Sequence, residues 1–206
     1  MSAAVERLLQ LALVHANAGR NDAARALCEQ ANAQHAAHPG VLQLLALLAL
    51  RAHDLPQARH CCAASLALRP DHLRTLALAS DAARAAGALD VACHALERVV
   101  ELAPAHVDAW FQLALVRQDQ RELVGAAQAL HQVLRLAPGR ADAEVNLGIV
   151  LQDSGQADAA MQAYGRAYRL REDSFGRIAH ALSSSNFGRL WLDLDQLRAA
   201  LRATSA

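Results

Sequence analysis

The sequence predicts an all-α chain, a right-handed solenoid of stacked helix-turn-helix units. Three observations carry this. Leu and Ala dominate while aromatic residues make up 3%, a balance that favours helix over strand. Pro70, Pro104 and Pro138 close the motifs "LRP", "LAP" and "LAP" at successive intervals of 34 residues. Set in that period, two positions are small in every unit. Position 8 holds Ala12, Ala46, Ser80, Ala114 and Gly148, and position 20 holds Ala24, Ala58, Ala92, Ala126 and Ala160.

Placing Pro138 at position 32 gives units 5–38, 39–72, 73–106, 107–140 and 141–174. Each holds two helical patterns, and small residues at positions 8 and 20 let the helices of a pair approach closely. Leu recurs at position 7 (Leu11, Leu45, Leu113, Leu147) and at position 30 (Leu68, Leu102, Leu136, Leu170). Gly19, Gly87 and Gly155 fall between the paired helices, where a left-handed C-cap is useful. His53 and Arg121 take that place in the other two units, which predicts turns closed in a different way.

Beyond the periodic region, residues 175–206 read as a C-terminal cap. "FGRIAHAL" begins like another first helix, and "SSSNFG" breaks it. In "RLWLDLDQLRAALRA", Asp193 or Asp195 is placed to N-cap a last helix. Leu194, Leu197 and Leu201 give that helix one apolar stripe, and Trp191 precedes it as an anchor. Either the stripe seals the core edge of the last unit, or it docks a partner or a second copy as a homodimer contact.

At this point the chain resembles the tetratricopeptide repeat family, over about residues 5 to 174. Trp110, Leu113, Ala114, Ala126, Leu130 and Pro138 carry the resemblance in one unit, and Leu147, Gly148, Ala160, Tyr164 and Ala167 in the next. The resemblance implies a concave surface lined by the first helix of each unit, mainly through positions 2, 5, 6, 9, 12 and 13. Carried onto this sequence, the expected groove comprises Leu13, Gln43, Leu47, Asp81, Arg84, Phe111, Gln112, Leu115, Val145, Asn146, Ile149 and Gln152. The apolar members would take side chains of an extended peptide, and the amides would pair with its backbone. The Lys and Asn clamp that holds a C-terminal carboxylate in the family's chaperone receptors is absent.

Charge and motif content narrow the function further. Basic and acidic residues number 20 each and every basic residue is Arg, so no net field recruits nucleic acid or an anionic membrane. The longest apolar run, "VLQLLALLAL", is shorter than the ~20 residues a membrane span needs. No nucleotide-binding, zinc-protease or nucleophile-elbow motif occurs, so no enzyme activity, cofactor or metal site is expected. His38, His72 and His106 share position 34 and read as turn residues rather than ligands. Cys28, Cys61, Cys62 and Cys93 form no C-x-x-C pair and read as reduced, buried thiols of a cytoplasmic protein. The expectation is a non-catalytic scaffold binding a protein or peptide segment. The alternatives are an accessory subunit recruiting substrate to a separate glycosyltransferase, oxygenase or sulfotransferase, and a self-assembling module.

Overall fold

The computed structural model describes residues 3–34, 37–184 and 193–204. Twelve α-helices occur among them, and no strand. The chain divides into two compact units, Met1–Pro104 and Ala105–Ala206.

The first unit holds α1 (Ala3–Asn17), α2 (Asn21–Gln34), α3 (Pro39–Arg51), α4 (Leu55–Leu68), α5 (Leu73–Ala85) and α6 (Leu89–Leu102). Each odd-numbered helix packs on the even-numbered helix that follows it. The core between them interleaves small side chains with Val and Leu. Ala12, Ala24, Cys28 and Ala31 are completely buried with Val41 and Leu48 between α1, α2 and α3. Ala46, Cys61, Cys62 and Leu78 continue the apolar packing across α3, α4 and α5. Arg51 of α3 donates to the Ala16 carbonyl at 2.9 Å, placing a cation on the C-terminal end of α1, where the helix dipole favours it.

The second unit holds α7 (Val107–Asp119), α8 (Leu123–Leu136), α9 (Ala141–Asp153), α10 (Ala157–Leu170), a 3-10 turn at Glu172–Ser174, α11 (Phe175–Ser184) and α12 (Leu194–Ala203). Its core uses larger groups. Leu130, Val133, Leu147 and Val150 pack with alanines between α8, α9 and α10. Tyr164, Tyr168, Ile178, Leu197 and Leu201 join α10, α11 and α12. Tyr164 is fully buried and fits because position 148 is Gly, since a Cβ there would run into the Tyr164 ring. Its hydroxyl donates to Gln152 Oε1 at 2.7 Å. Arg166 forms two hydrogen bonds of 2.8 and 3.0 Å to the buried Glu144, so that carboxylate is not left unpaired.

All five turns inside the helix pairs close alike. Gly19, Gly87 and Gly155 have φ of 73°, 73° and 77°, while His53 and Arg121 adopt 57° and 63°. In each, the left-handed residue donates to the carbonyl three residues back. The residue after it donates five back, as Asp54 does to Ala49 at 2.9 Å and Glu122 to Arg117 at 2.8 Å. The expectation that His53 and Arg121 would close their turns differently is therefore overturned. The paired hydrogen bonds of the Schellman geometry hold the backbone left-handed against the cost of a Cβ.

The position-34 histidines also have a local role. His38, His72 and His106 are the N-cap residues of α3, α5 and α7. The Nδ1 of His106 accepts from the Ala109 backbone N–H at 3.1 Å.

The last helix is a lid on α10. Asp193 rather than Asp195 caps it, accepting from the N–H groups of Asp195 and Gln196 at 2.8 and 3.3 Å. Gly165 of α10 lies against Thr204, and a Cβ at 165 would stand 2.9 Å from the Leu201 carbonyl oxygen. Arg169 of α10 donates to the Thr204 carbonyl at 2.7 Å. Leu197 and Leu201 are buried, so most of the stripe is covered within the chain, while Leu194 stays 53% exposed. Trp191 lies outside the described residues. Val14 of α1 is 59% exposed, whereas Leu48, Ala82, Val116 and Val150, at the same repeat position, are buried.

Candidate functional site

The first helices of Met1–Pro104 turn one face towards a common depression. Leu9 and Leu13 of α1, Gly40, Gln43, Leu44 and Leu47 of α3, and Arg74 and Leu78 of α5 line a cavity of about 130 Å³. Leu9, Leu44 and Leu78 form its buried floor, and Leu13, Gln43 and Leu47 are half-buried at its wall. The sequence builds this place directly. Residues four apart on a helix share a face, so Leu9 with Leu13 and Gln43 with Leu47 are presented together. Gly40 opens the space, because a Cβ there would stand 3.0 Å from Leu9.

Three expected groove residues thus meet in one pocket: Leu13, Gln43 and Leu47. Asp81 and Arg84 of α5 are exposed and do not line it. Withdrawal from water pushes the Asp81 carboxyl up, and the nearby Arg84 charge opposes this. Leu9, Gly40, Leu44, Arg74 and Leu78 also line the pocket and lay outside the expected set; of these, Arg74 is the one that carries a charge. It occupies position 2 of its unit, so carrying that position onto the sequence as well would have found it.

In Ala105–Ala206 the expected residues are covered to different degrees. Phe111, Gln112 and Leu115 of α7 and Ile149 of α9 are half-buried. The guanidinium of Arg140 lies over the Phe111 ring at 4.6 Å and is held there by Asp108 at 2.6 Å and Asp142 at 2.8 Å. Those bonds hold the Asp142 carboxyl below its ordinary range, with burial opposing them. Val145, Asn146 and Gln152 are buried instead of open. Val145 is completely enclosed in the cluster that contains Tyr164, Ile178 and Leu197. Asn146 accepts from Arg177 of α11 at 3.4 Å, and Gln152 accepts from Tyr164. The chain's own helices α10, α11 and α12 supply the contacts that a ligand was expected to make with these three.

A wider depression of about 440 Å³ lies beside α4, lined by Pro56, Arg59, His60, Cys62, Ala63, Leu66, Ala79, Ala83 and Val91. Its cysteine is not poised for chemistry. Burial, then Cys61 and Asp81, push the Cys62 thiol up to about 11, so the nucleophilic thiolate is scarce at neutral pH. Cys28 is likewise pushed up to about 11, chiefly by burial. All four cysteines are buried and unbridged. Among the described residues, no group of three or more His, Cys, Asp or Glu side chains could hold a metal ion. No helix there is long and apolar enough to cross a membrane.

A family model described as a tetratricopeptide repeat matches residues 141–174, the helix pair α9 and α10. The same pairing recurs along the chain from α1 to α10. Residues 141–174 form a tetratricopeptide repeat, and the chain has the fold of tetratricopeptide repeat proteins.

Solved structures of this repeat architecture superpose on most of its length. MamA 41-end from Desulfovibrio magneticus RS-1 aligns with a TM-score of 0.78 at 18% identity, covering 84% of this chain and 98% of that one. A MamA RS-1 double mutant gives 0.79 at 18% identity, with coverage of 84% and 98%. YrrB, described as a TPR protein with an unusual peptide-binding site, gives 0.75 at 17% identity, with coverage of 81% and 86%. At these identities the likeness is one of fold. No curated protein matches this tetratricopeptide repeat chain by sequence.

Proposed function

We propose that this tetratricopeptide repeat protein is a non-catalytic scaffold that binds an extended segment of a partner protein along its first helices. One observation carries the reading: the leucine-lined depression between α1, α3 and α5, with Gln43 at its wall. An open apolar pocket beside a side-chain amide suits a peptide, whose side chain fills the pocket while its backbone pairs with the amide. The peptide-binding site named for YrrB, a protein of the same fold, supports the same class of ligand. In this reading the five repeat units of 5–174 form the binding array and 175–206 closes it. The four unbridged thiols fit a reducing compartment, and we place the protein in the cytoplasm.

The test is a selection from a random peptide library on the purified protein. Selected peptides are then titrated by calorimetry against wild type, Leu13→Asp and Leu47→Asp. Both positions are half-buried at the pocket wall, so their variants should keep the wild-type circular dichroism spectrum and unfold cooperatively. Affinity should fall about tenfold or more, a change of about 1.4 kcal/mol. Peptides that bind both folded variants as tightly as wild type would exclude this pocket.

A further inference from the structure

We propose that the ligand of the α1–α3–α5 pocket is an acidic-apolar segment: one branched aliphatic side chain enters the leucine cavity, and a nearby Asp or Glu side chain pairs with Arg74. This rests on the peptide-binding reading above and adds the chemistry of the peptide. Two features of the site argue for it.

The first is the size of the cavity. Its volume is about 130 Å³. A dry apolar cavity of about 150 Å³ accommodates a molecule the size of benzene. The space therefore suits one Leu or Ile side chain and is too small for two. The lining is aliphatic on all three helices, so a polar side chain entering it would lose its hydration without recovering hydrogen bonds.

The second is charge. Arg74 reaches the rim of the cavity and is exposed. Among the described residues no carboxylate pairs with it. Asp71, three residues earlier, is held by Arg98 of α6 at 2.8 Å. Asp81, about two turns further along α5, lies nearer in sequence to Arg84, whose charge acts on it. An exposed guanidinium beside an apolar pocket is a fork of N–H donors matched to a carboxylate. Pairing at the edge of a partly dehydrated pocket is worth more than pairing in open water. Gln43, on α3, is neutral and adds no competing charge.

The experiment repeats the library selection on wild type, on the charge reversal Arg74→Glu, and on Leu13→Asp. Arg74 is exposed, so its reversal leaves the fold intact, and a thermal melt checks this. Each library is displayed with free and with amidated C-termini. On wild type, the selected peptides should pair a Leu or Ile with an Asp or Glu in both formats. On Arg74→Glu the acidic residue should give way to Lys or Arg, with the aliphatic residue retained. A wild-type acidic peptide should then bind the reversed variant about tenfold or more weakly, and the loss should shrink in high salt.

Aliphatic enrichment with no charge preference, unchanged by the reversal, would overturn the Arg74 assignment and leave the pocket reading standing. Enrichment confined to free C-termini would assign the carboxylate to a chain end and overturn the side-chain proposal. Selection that persists on Leu13→Asp, or that yields no peptide on wild type, would remove both readings together.

Discussion

The two compact units solve the same packing problem with side chains of different size. At repeat position 24 the first unit places Cys28, Cys62 and Leu96, and the second Leu130 and Tyr164. Position 8 on the partner helix holds Ala12, Ala46 and Ser80 in the first unit and Ala114 and Gly148 in the second, with the smallest residue facing the largest. At the last of these pairs the space of a missing Cβ at Gly148 is taken by the edge of the Tyr164 ring, so the same helix pair holds a thiol in one repeat and a phenol in another. The second unit adds directed bonds to that volume: Tyr164 to Gln152, Arg166 to Glu144, and a lid helix carrying Leu197 and Leu201. The first unit leaves Val14 and the leucine pocket open.

The comparison breaks most sharply at position 24. Tyr164→Ala removes the largest fully buried side chain among the described residues and should cost about 3–5 kcal/mol. Cys28→Ala, at the equivalent position of the first unit, removes one buried sulfur and should cost roughly 1 kcal/mol. Urea unfolding followed by circular dichroism measures both. Equal losses would mean that the two cores are equivalent after all.

A smaller effect should be shared by the units. His53→Gly in the first and Arg121→Gly in the second relieve a Cβ held at positive φ. Each should stabilise by about 1 kcal/mol, read from the urea midpoint. A loss in either would show that the side chain contributes more than its backbone strain costs.

The smallest effect has opposite signs in the two units. Asp81 has its folded pKa raised, so its contribution is fully present below the unfolded value of 3.8 and is lost as pH rises through the folded one. Asp142 has its folded pKa lowered, so its contribution is present above 3.8 and is lost as pH falls through the folded one. Between about pH 5 and about pH 3, acidification should favour the first unit at Asp81 and disfavour the second at Asp142. Asp81→Asn and Asp142→Asn should each cancel one trend, by less than about 1 kcal/mol because both groups keep water contact. Unfolding midpoints measured across that range test the signs.

The periodicity showed the helix pairs because it depends on local rules: Ala where helices touch, Pro after the second helix, Gly at three turns. It misjudged the turns at His53 and Arg121, because backbone hydrogen bonds set that geometry whatever the side chain. It placed Leu13, Gln43 and Leu47 on one face, and the pocket gathers them. It read Val145, Asn146 and Gln152 as open because position alone cannot reveal that α10, α11 and α12 cover them. Arg74 was equally readable at position 2, yet only the three-dimensional arrangement shows it at the rim of the pocket while Asp71, three residues earlier, is held by Arg98.

The Gly148–Tyr164 fit also has a history written into it. A chain moving from the phenol arrangement to the thiol arrangement must change two residues, and the order matters. Adding a Cβ at 148 first drives it into the ring, an overpacking that costs about 1–3 kcal/mol. Shrinking Tyr164 first leaves a void that the later Cβ partly fills. Of the two mutational trajectories, the better one depends on how far neighbours collapse into the void. Substitutions at these positions are therefore conditional on each other, and a residue harmless in one repeat is damaging in another with the same fold.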